Sequence, residues 1–221
     1  MSGAAVSRGS IAGDAGAIEL AWSVPDSPVA VAVVAHPHPL FGGTMENKVV
    51  TTVARAFHEA GAATFRFNFR GVGASEGAHD EGRGETDDFL AVLDHAQAAF
   101  GGLPCWFAGF SFGGGVALRA SSRTDFAQLV LMAPALRRIT GHGLGAPPDP
   151  LDPKLGEVGR HAAGNTIIVH GDLDDTVPLA DSFAWATPRD VPVLVVPGAD
   201  HFFHRKLHVI RGAVTRLVRP H

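Results

Sequence analysis

Length, composition and charge narrow the classes of protein to be considered. The chain has 221 residues, of which 46% are hydrophobic and 18% charged, a balance typical of a globular protein with a sizeable core and not of a disordered chain. Its formal net charge of -4 and the lack of a basic run argue against nucleic acid as a partner, since phosphate binding requires clustered Lys and Arg.

The cysteine count and the apolar runs indicate the cellular compartment in which the protein is expected. Cys105 is the only cysteine, so no internal disulfide can form. Residues 1–15 lack the apolar core of a secretory signal, and the longest apolar run, residues 29–35, is too short to cross a membrane. We expect a cytoplasmic protein, monomeric or homodimeric, that has no membrane or nucleic-acid partner. Residues 1–16 are expected to be a flexible segment preceding a single domain, residues 17–221.

Strands and helices are predicted to alternate along the chain. Residues 17–24 are expected to add an antiparallel edge strand. The continuous apolar and aromatic runs predict strands over residues 29–35, 62–69, 103–110, 128–133, 166–170 and 191–196. Helical spacing of apolar residues predicts helices over residues 47–60, 86–100, 114–121 and 203–218.

This alternation predicts an α/β fold, with a mostly parallel central sheet and helices on both faces. Residues 133–166 interrupt it, because they are rich in Pro and Gly and cannot form a long helix. That stretch is also too short for a separate lid domain.

The segment Gly109-Phe110-Ser111-Phe112-Gly113 joins a predicted strand to a predicted helix. A serine between two glycines in this context predicts a nucleophile elbow, a strained turn that presents the hydroxyl at the end of the sheet. Small residues are required two positions before and after the serine. A chain with 27 glycines can match the pattern by chance, so the hypothesis depends on the partners that follow.

Polar residues stand at the carboxyl ends of the predicted strands, where parallel sheets bind ligands. Ser111 follows the strand 103–110, the carboxylates of Asp172, Asp174 and Asp175 follow the strand 166–170, and His201 follows the last strand. Serine, aspartate and histidine in this order suit nucleophilic catalysis. The imidazole accepts the hydroxyl proton, and an ionised carboxylate orients the imidazole.

Several segments resemble the α/β-hydrolase superfamily, over nearly the whole chain. Residues 170–178 (HGDLDDTVP) are similar to its H-G-x-x-D-x-x-V-P segment, and residues 198–202 (GADHF) to its G-x-x-H-F segment. The resemblance implies Ser111 as nucleophile, Asp174 as acid and His201 as base. Residues 36–45 and 67–75 resemble a subfamily of small lidless serine hydrolases related to dienelactone hydrolases, which fixes the mechanism better than the substrate.

An oxyanion intermediate requires backbone donors. The N–H that follows the nucleophile, that of Phe112, is one candidate. The second should come from the loop after the strand 29–35, where the prolines leave His36, His38 and Leu40. We favour His38. Phe41 and Phe202 adjoin the catalytic segments and are candidates for a substrate pocket.

The remaining polar groups suggest structural roles. His204 and His208 share a helix face but lack the third ligand of a zinc site, so we expect no metal and no cofactor. Arg70 is expected to be structural, and Glu76, Glu81 and Glu85 to lie on a solvated face at a helix start.

The combined prediction is a serine hydrolase that cleaves a small-molecule ester or thioester through an acyl-enzyme. Two alternatives stay open: a non-catalytic binding protein on the same fold, and perhydrolase or carbon-carbon hydrolase chemistry at the same residues.

Overall fold

A computed structural model describes residues 5–139 and 164–218 of the chain. Its centre is an eight-stranded sheet in the order β1-β2-β4-β3-β5-β6-β7-β8. Strands β3 to β8 run parallel to one another, whereas β2 pairs antiparallel with both β1 and β4. The strands are β1 Ser7–Gly13, β2 Gly16–Ser23, β3 Ala30–Ala35, β4 Ala62–Phe67, β5 Cys105–Phe110, β6 Gln128–Met132, β7 Thr166–Gly171 and β8 Val193–Val196.

Helices cover both faces of this sheet, which confirms the predicted fold class. They are α1 Lys48–Glu59, α2 Arg83–Ala99, α3 Phe112–Ala120, α4 Leu136–Ile139, α5 Leu179–Ala186 and α6 Leu207–Leu217. One core lies between the sheet and α2, α3 and the end of α5, and the other lies between the sheet and α1 and α6. All residues of β3, β4 and β5 are buried, as expected for parallel strands covered on both sides.

The N-terminal prediction is wrong. Residues Ser7–Gly13, expected to be flexible, form the edge strand β1, and β2 lies between β1 and β4 instead of at the edge. The cause is a tight hairpin, in which Gly13 pairs with Gly16 across a two-residue turn and Gly16 adopts a φ of 116°. Few residues other than glycine adopt such a φ.

The end of the chain also differs from the expectation. The last helix begins at Leu207 and not at residue 203, because Phe203 and Arg205 have positive φ values of 53° and 60° that a right-handed helix cannot contain. Helix α5 was not predicted. The stretch 133–166, expected to contain neither a long helix nor a lid domain, lies mostly outside the described residues. None of the helices in the described part of the chain is long and apolar enough to span a bilayer.

Candidate active site

The turn between β5 and α3 has the geometry of a nucleophile elbow. Ser111 has φ 56° and ψ -115°, a conformation that residues with side chains rarely adopt. A Cβ at Gly109 would lie 2.0 Å from the Gly113 carbonyl oxygen, and a Cβ at Gly113 would lie 2.4 Å from that of His36. Only glycine fits at either position, so the two glycines allow β5, α3 and the end of β3 to approach one another.

The structure brings Ser111, His201 and Asp174 together in one row. His201 Nε2 lies 3.1 Å from Ser111 Oγ, and His201 Nδ1 lies 2.7 Å from Asp174 Oδ2. Because the carboxylate oxygen accepts, Nδ1 carries the proton, and Nε2 of the neutral imidazole can accept from the serine hydroxyl. Ser111 retains 8% of its exposure and His201 4%, so the row is sheltered from bulk water but open at the serine.

The loop after β7, residues 171–178 and here called the β7 loop, fixes the carboxylate. Asp174 Oδ1 accepts the backbone N–H groups of Thr176 at 2.9 Å and Val177 at 2.8 Å. Burial alone would raise the pKa of Asp174, but hydrogen bonds from His170, His201 and the Val177 N–H outweigh it and hold that pKa well below its ordinary value. Asp174 is therefore ionised over the whole range in which histidine titrates.

The other two carboxylates of the β7 loop face elsewhere. Asp172 Oδ1 accepts the N–H of Gly198 at 2.6 Å, and Asp175 Oδ1 lies 3.2 Å from the Thr176 hydroxyl. Of the three carboxylates that the sequence left open, the structure places Asp174 on His201.

The loop after β3, residues 36–43 and here called the β3 loop, is fixed at its root by His36. The Phe69 N–H donates to His36 Nε2 at 3.0 Å, so Nδ1 carries the proton and donates to the Pro37 carbonyl at 2.6 Å. Burial lowers the pKa of His36 from 6.5 to about 4. His36 is thus a neutral, buried side chain whose hydrogen bonds connect the end of β3 to the residues after β4.

The candidate oxyanion donors separate into two groups. Phe112 opens α3, where helix geometry leaves the first N–H groups without an intrahelical acceptor. The Leu40 N–H donates to His38 Nδ1 at 3.2 Å, inside a short turn of 3-10 helix, Pro39–Phe41. Leu40 does not line the cavity beside Ser111, whereas His38 and Phe112 do. The Leu40 N–H thus already has an acceptor within its own turn, and the choice of the second oxyanion donor stays a prediction.

A cavity of about 110 Å³ opens beside the serine. Phe41 and Phe202, the expected pocket residues, both line it and stay 71% and 44% exposed. Its wall consists of Pro37, His38, Phe41, Gly42, Gly43, Asn47, Ser111, Phe112, Ala135, Thr176, Val177, His201 and Phe202. The cavity wall is mostly apolar, and Ser111 and His201 are among its polar side chains.

Arg70 has the structural role expected for it. Its guanidinium forms a two-pronged ion pair with the buried Asp88 of α2, with Nη2 2.8 Å from Oδ1 and Nε 3.1 Å from Oδ2. The pair joins the end of β4 to α2, and Gly84 leaves space for it, since a Cβ there would lie 1.9 Å from Arg70 Nη1.

The expectation of a solvated glutamate cluster is wrong for Glu85. It starts α2 as expected but is fully buried, where it accepts the N–H groups of Asp80 at 2.8 Å and Gly82 at 2.7 Å. In residues 5–139 and 164–218, no three His, Cys, Asp or Glu side chains are grouped as metal ligands. His204, expected on the last helix with His208, lies before the helix start at Leu207 and contacts Asp200 Oδ2 through Nδ1, at 2.7 Å.

The sequence did not lead us to expect that His36 and His170, two histidines beside the site, position other groups. His36 directly follows the apolar strand β3, His170 follows three apolar residues within β7, and both are fully buried. A histidine in that position is a recognisable signal, because a buried imidazole must find partners for both ring nitrogens.

Comparison with known proteins is consistent with this geometry. A family model described as serine aminopeptidase, S33, matches residues 27–152, more than half of the chain. Over 209 residues the chain is 31% identical to the uncharacterized protein RP471 of Rickettsia prowazekii, a match that covers 91% of this chain and 84% of that protein.

Two solved structures are similar over almost their full lengths. An α/β serine hydrolase homologue from Coxiella burnetii has a TM-score of 0.82 at 35% identity, over 96% of this chain and 97% of that one. XC6422 from Xanthomonas campestris, described as an α/β serine hydrolase without lid, has a TM-score of 0.80 at 34% identity, over 96% and 93% of the two chains. None of these matches bears on dienelactone hydrolases, so that link stays a prediction.

The elbow, the parallel sheet and these matches agree, and the chain belongs to the Hydrolase_4 family (serine aminopeptidase, S33) of α/β serine hydrolases.

Proposed function

We propose that the chain hydrolyses carboxylic esters or thioesters through an acyl-enzyme formed on Ser111. The observation that carries the proposal is the continuous row of Ser111 Oγ, His201 and Asp174, with contacts of 3.1 and 2.7 Å. A nucleophile, a base and an orienting carboxylate in that geometry are the three parts that covalent acyl transfer requires.

In the first half-reaction, Ser111 Oγ attacks the carbonyl carbon while its proton moves to His201 Nε2. Asp174, bonded to Nδ1 at 2.7 Å, stabilises the imidazolium that forms. The negative oxygen of the tetrahedral intermediate accepts the Phe112 N–H, and the His38 N–H is the proposed second donor. His201 then returns its proton to the departing alcohol or thiol, which leaves the acyl group on Ser111.

In the second half-reaction, a water molecule takes the place of the leaving group. His201 removes a proton from the water as its oxygen attacks the acyl carbon, and returns that proton to Ser111 when the carboxylic acid departs. Every step uses side chains of this chain, the substrate and water. The apolar cavity wall is expected to contact the acyl group.

The test is turnover of short p-nitrophenyl esters and of matched thioesters by the wild type and by Ser111→Ala. We expect the substitution to lower kcat by more than about 1000-fold, since the nucleophile acts as a unit with its base. Ser122→Ala is the matched control: its hydroxyl bonds the Arg119 carbonyl at 2.7 Å at the other end of α3, so activity should persist.

Labelling by a fluorophosphonate gives an independent readout, because it reports an activated serine without requiring the right substrate. Wild type and Ser122→Ala should be labelled at Ser111. A folded wild type that neither turns over esters or thioesters nor reacts with the probe contradicts the proposal and favours a non-catalytic role.

A further inference from the structure

His170, the penultimate residue of β7, is a second imidazole in contact with Asp174, besides that of His201. Its side chain is fully buried. Nε2 lies 2.9 Å from the Val177 carbonyl and 3.1 Å from Asp174 Oδ2, and Nδ1 lies 2.8 Å from the Ser182 hydroxyl of α5. The steps of ester hydrolysis do not use this imidazole, although it touches the carboxylate that they require.

The contacts determine which nitrogen carries the proton. A carbonyl oxygen can only accept, so Nε2 must be the donor toward Val177. The Ser182 hydroxyl can donate to Nδ1, so a neutral imidazole with its proton on Nε2 satisfies every contact. That single N–H is shared between the Val177 carbonyl and Asp174 Oδ2.

Asp174 Oδ2 therefore lies between two imidazoles. His201 Nδ1 approaches it at 2.7 Å and His170 Nε2 at 3.1 Å. Each N–H draws negative charge from the oxygen, so a stronger contact on one side leaves less charge for the other. His170 thus contacts the atom that determines how strongly Asp174 stabilises a protonated His201.

We propose that His170 is a positioning residue that acts through Asp174: it holds Oδ2 on His201 and withdraws part of its charge, so that His201 stays unprotonated and available as a base at lower pH. The effect of His170 on catalysis rests on the proposed function. The contact between His170 and Asp174 acts on His201 whether or not a substrate is present.

The other charged side chains around this site form hydrogen bonds or ion pairs with groups other than Asp174. Asp172 accepts the Gly198 N–H, and Asp175 contacts Thr176. Asp200 pairs with His204 at 2.7 Å, and on α5 Asp181 pairs with Arg137 at 2.7 Å. Among the described residues, His170 and His201 are the titratable side chains within ion-pair distance of Asp174.

The experiment compares two variants of similar side-chain length, one that ends in an N–H donor and one that does not. In His170→Gln the amide nitrogen replaces Nε2 and keeps an N–H toward Asp174, whereas His170→Met fills similar volume without a donor. If the Met variant fails to fold, His170→Asn replaces it, since its shorter amide can accept from Ser182 but ends short of Oδ2. Thermal unfolding checks that each variant is folded.

Two readouts are recorded for each variant. The first is the acidic limb of the pH dependence of kcat/KM, which reports protonation of the base in the free enzyme. The second is the titration of the His201 ring followed by NMR in the absence of substrate. Because the second needs no turnover, an inactive wild type would contradict the proposed function and still leave the role of His170 testable.

We expect His170→Met to move both midpoints upward by about one pH unit, a tenfold gain in proton affinity. Below the wild-type midpoint, kcat/KM then falls about tenfold relative to the wild type. His170→Gln should restore both midpoints to within about 0.3 unit. A purely structural role would lower activity at all pH values without moving either midpoint.

The inference is overturned if the midpoints in His170→Met stay unchanged or move downward. It is equally overturned if Gln and Met shift them alike, since the restored N–H would then have no effect.

Discussion

The β7 loop and the β3 loop flank Ser111 from opposite sides and are built differently. In the β7 loop the Asp174 carboxylate is fully buried, with two backbone N–H groups on Oδ1 and two imidazoles on Oδ2. The β3 loop is fixed at its root by the buried His36 and by packing of the His38 ring on Phe112, and its tip carries Leu40 and Phe41 with exposures of 69% and 71%.

The contrast separates two tasks. Groups that stabilise charge in the transition state must be held in place before the reaction, because reorganisation during the reaction costs free energy. Groups that contact the substrate surface can stay exposed. Substitutions in the β7 loop should therefore act on turnover, and substitutions at the tip of the β3 loop should act on substrate binding.

The largest effect is expected for Asp174→Asn, at the centre of the β7 loop. An amide cannot accept from all the donors around this carboxylate, and its neutral charge stabilises neither the correct tautomer of His201 nor the imidazolium. We expect kcat to fall by about 10⁴-fold with little change in KM. Steady-state kinetics on a p-nitrophenyl ester measures this directly.

Asp175→Asn is the matched control, because it makes the same chemical change one residue along the loop, where the carboxylate contacts the Thr176 hydroxyl and not His201. Its activity should stay close to that of the wild type. A loss in Asp175→Asn comparable to that in Asp174→Asn would show that the loop, and not the Asp174 carboxylate, carries the effect.

The contacts of Ser111 and His201 follow largely from sequence. Gly109 and Gly113 define the elbow through steric exclusion, and a Cβ at either position would lie 2.0 or 2.4 Å from a backbone oxygen. The chain order of serine, aspartate and histidine then placed the partners at one edge of a parallel sheet.

Groups whose burial or partners depend on the tertiary fold could not be predicted in the same way. Glu85 has the pattern of an exposed helix start and accepts local backbone N–H groups, yet its side chain is fully buried. The N–H partner of His36 comes from Phe69, far along the chain. Such pairings are set by tertiary packing, so composition and periodicity do not reveal them.

A second, smaller effect is expected at the root of the β3 loop. Burial lowers the pKa of His36 to about 4 from 6.5, so below pH 6.5 the unfolded chain binds a proton that the folded chain does not. Stability must then fall as pH decreases from 6.5 toward 4. Between pH 7 and pH 5 this group should lower the free energy of unfolding by about 2 kcal/mol.

Urea unfolding of the wild type and of His36→Gln at several pH values measures this contribution. Glutamine cannot titrate, so its stability should change less between pH 7 and pH 5, and the difference between the two slopes isolates His36. Parallel curves would mean that His36 does not titrate as its burial requires, and the root of the β3 loop would then be less enclosed than the β7 loop.

The smallest effect is expected at the exposed tip of the β3 loop, where Phe41→Ala should raise KM by about fivefold, or about 1 kcal/mol, by removing part of the apolar wall. Turnover at saturation should change little, because Phe41 touches none of the atoms that carry charge in the proposed reaction.

Leu40→Ala is the matched control: Leu40 is 69% exposed but does not line the cavity. Kinetics on esters with an aromatic or medium-chain acyl group distinguishes the two. A fall in kcat at constant KM in Phe41→Ala would mean that the tip takes part in the chemistry, and the division of tasks between the two loops would not hold.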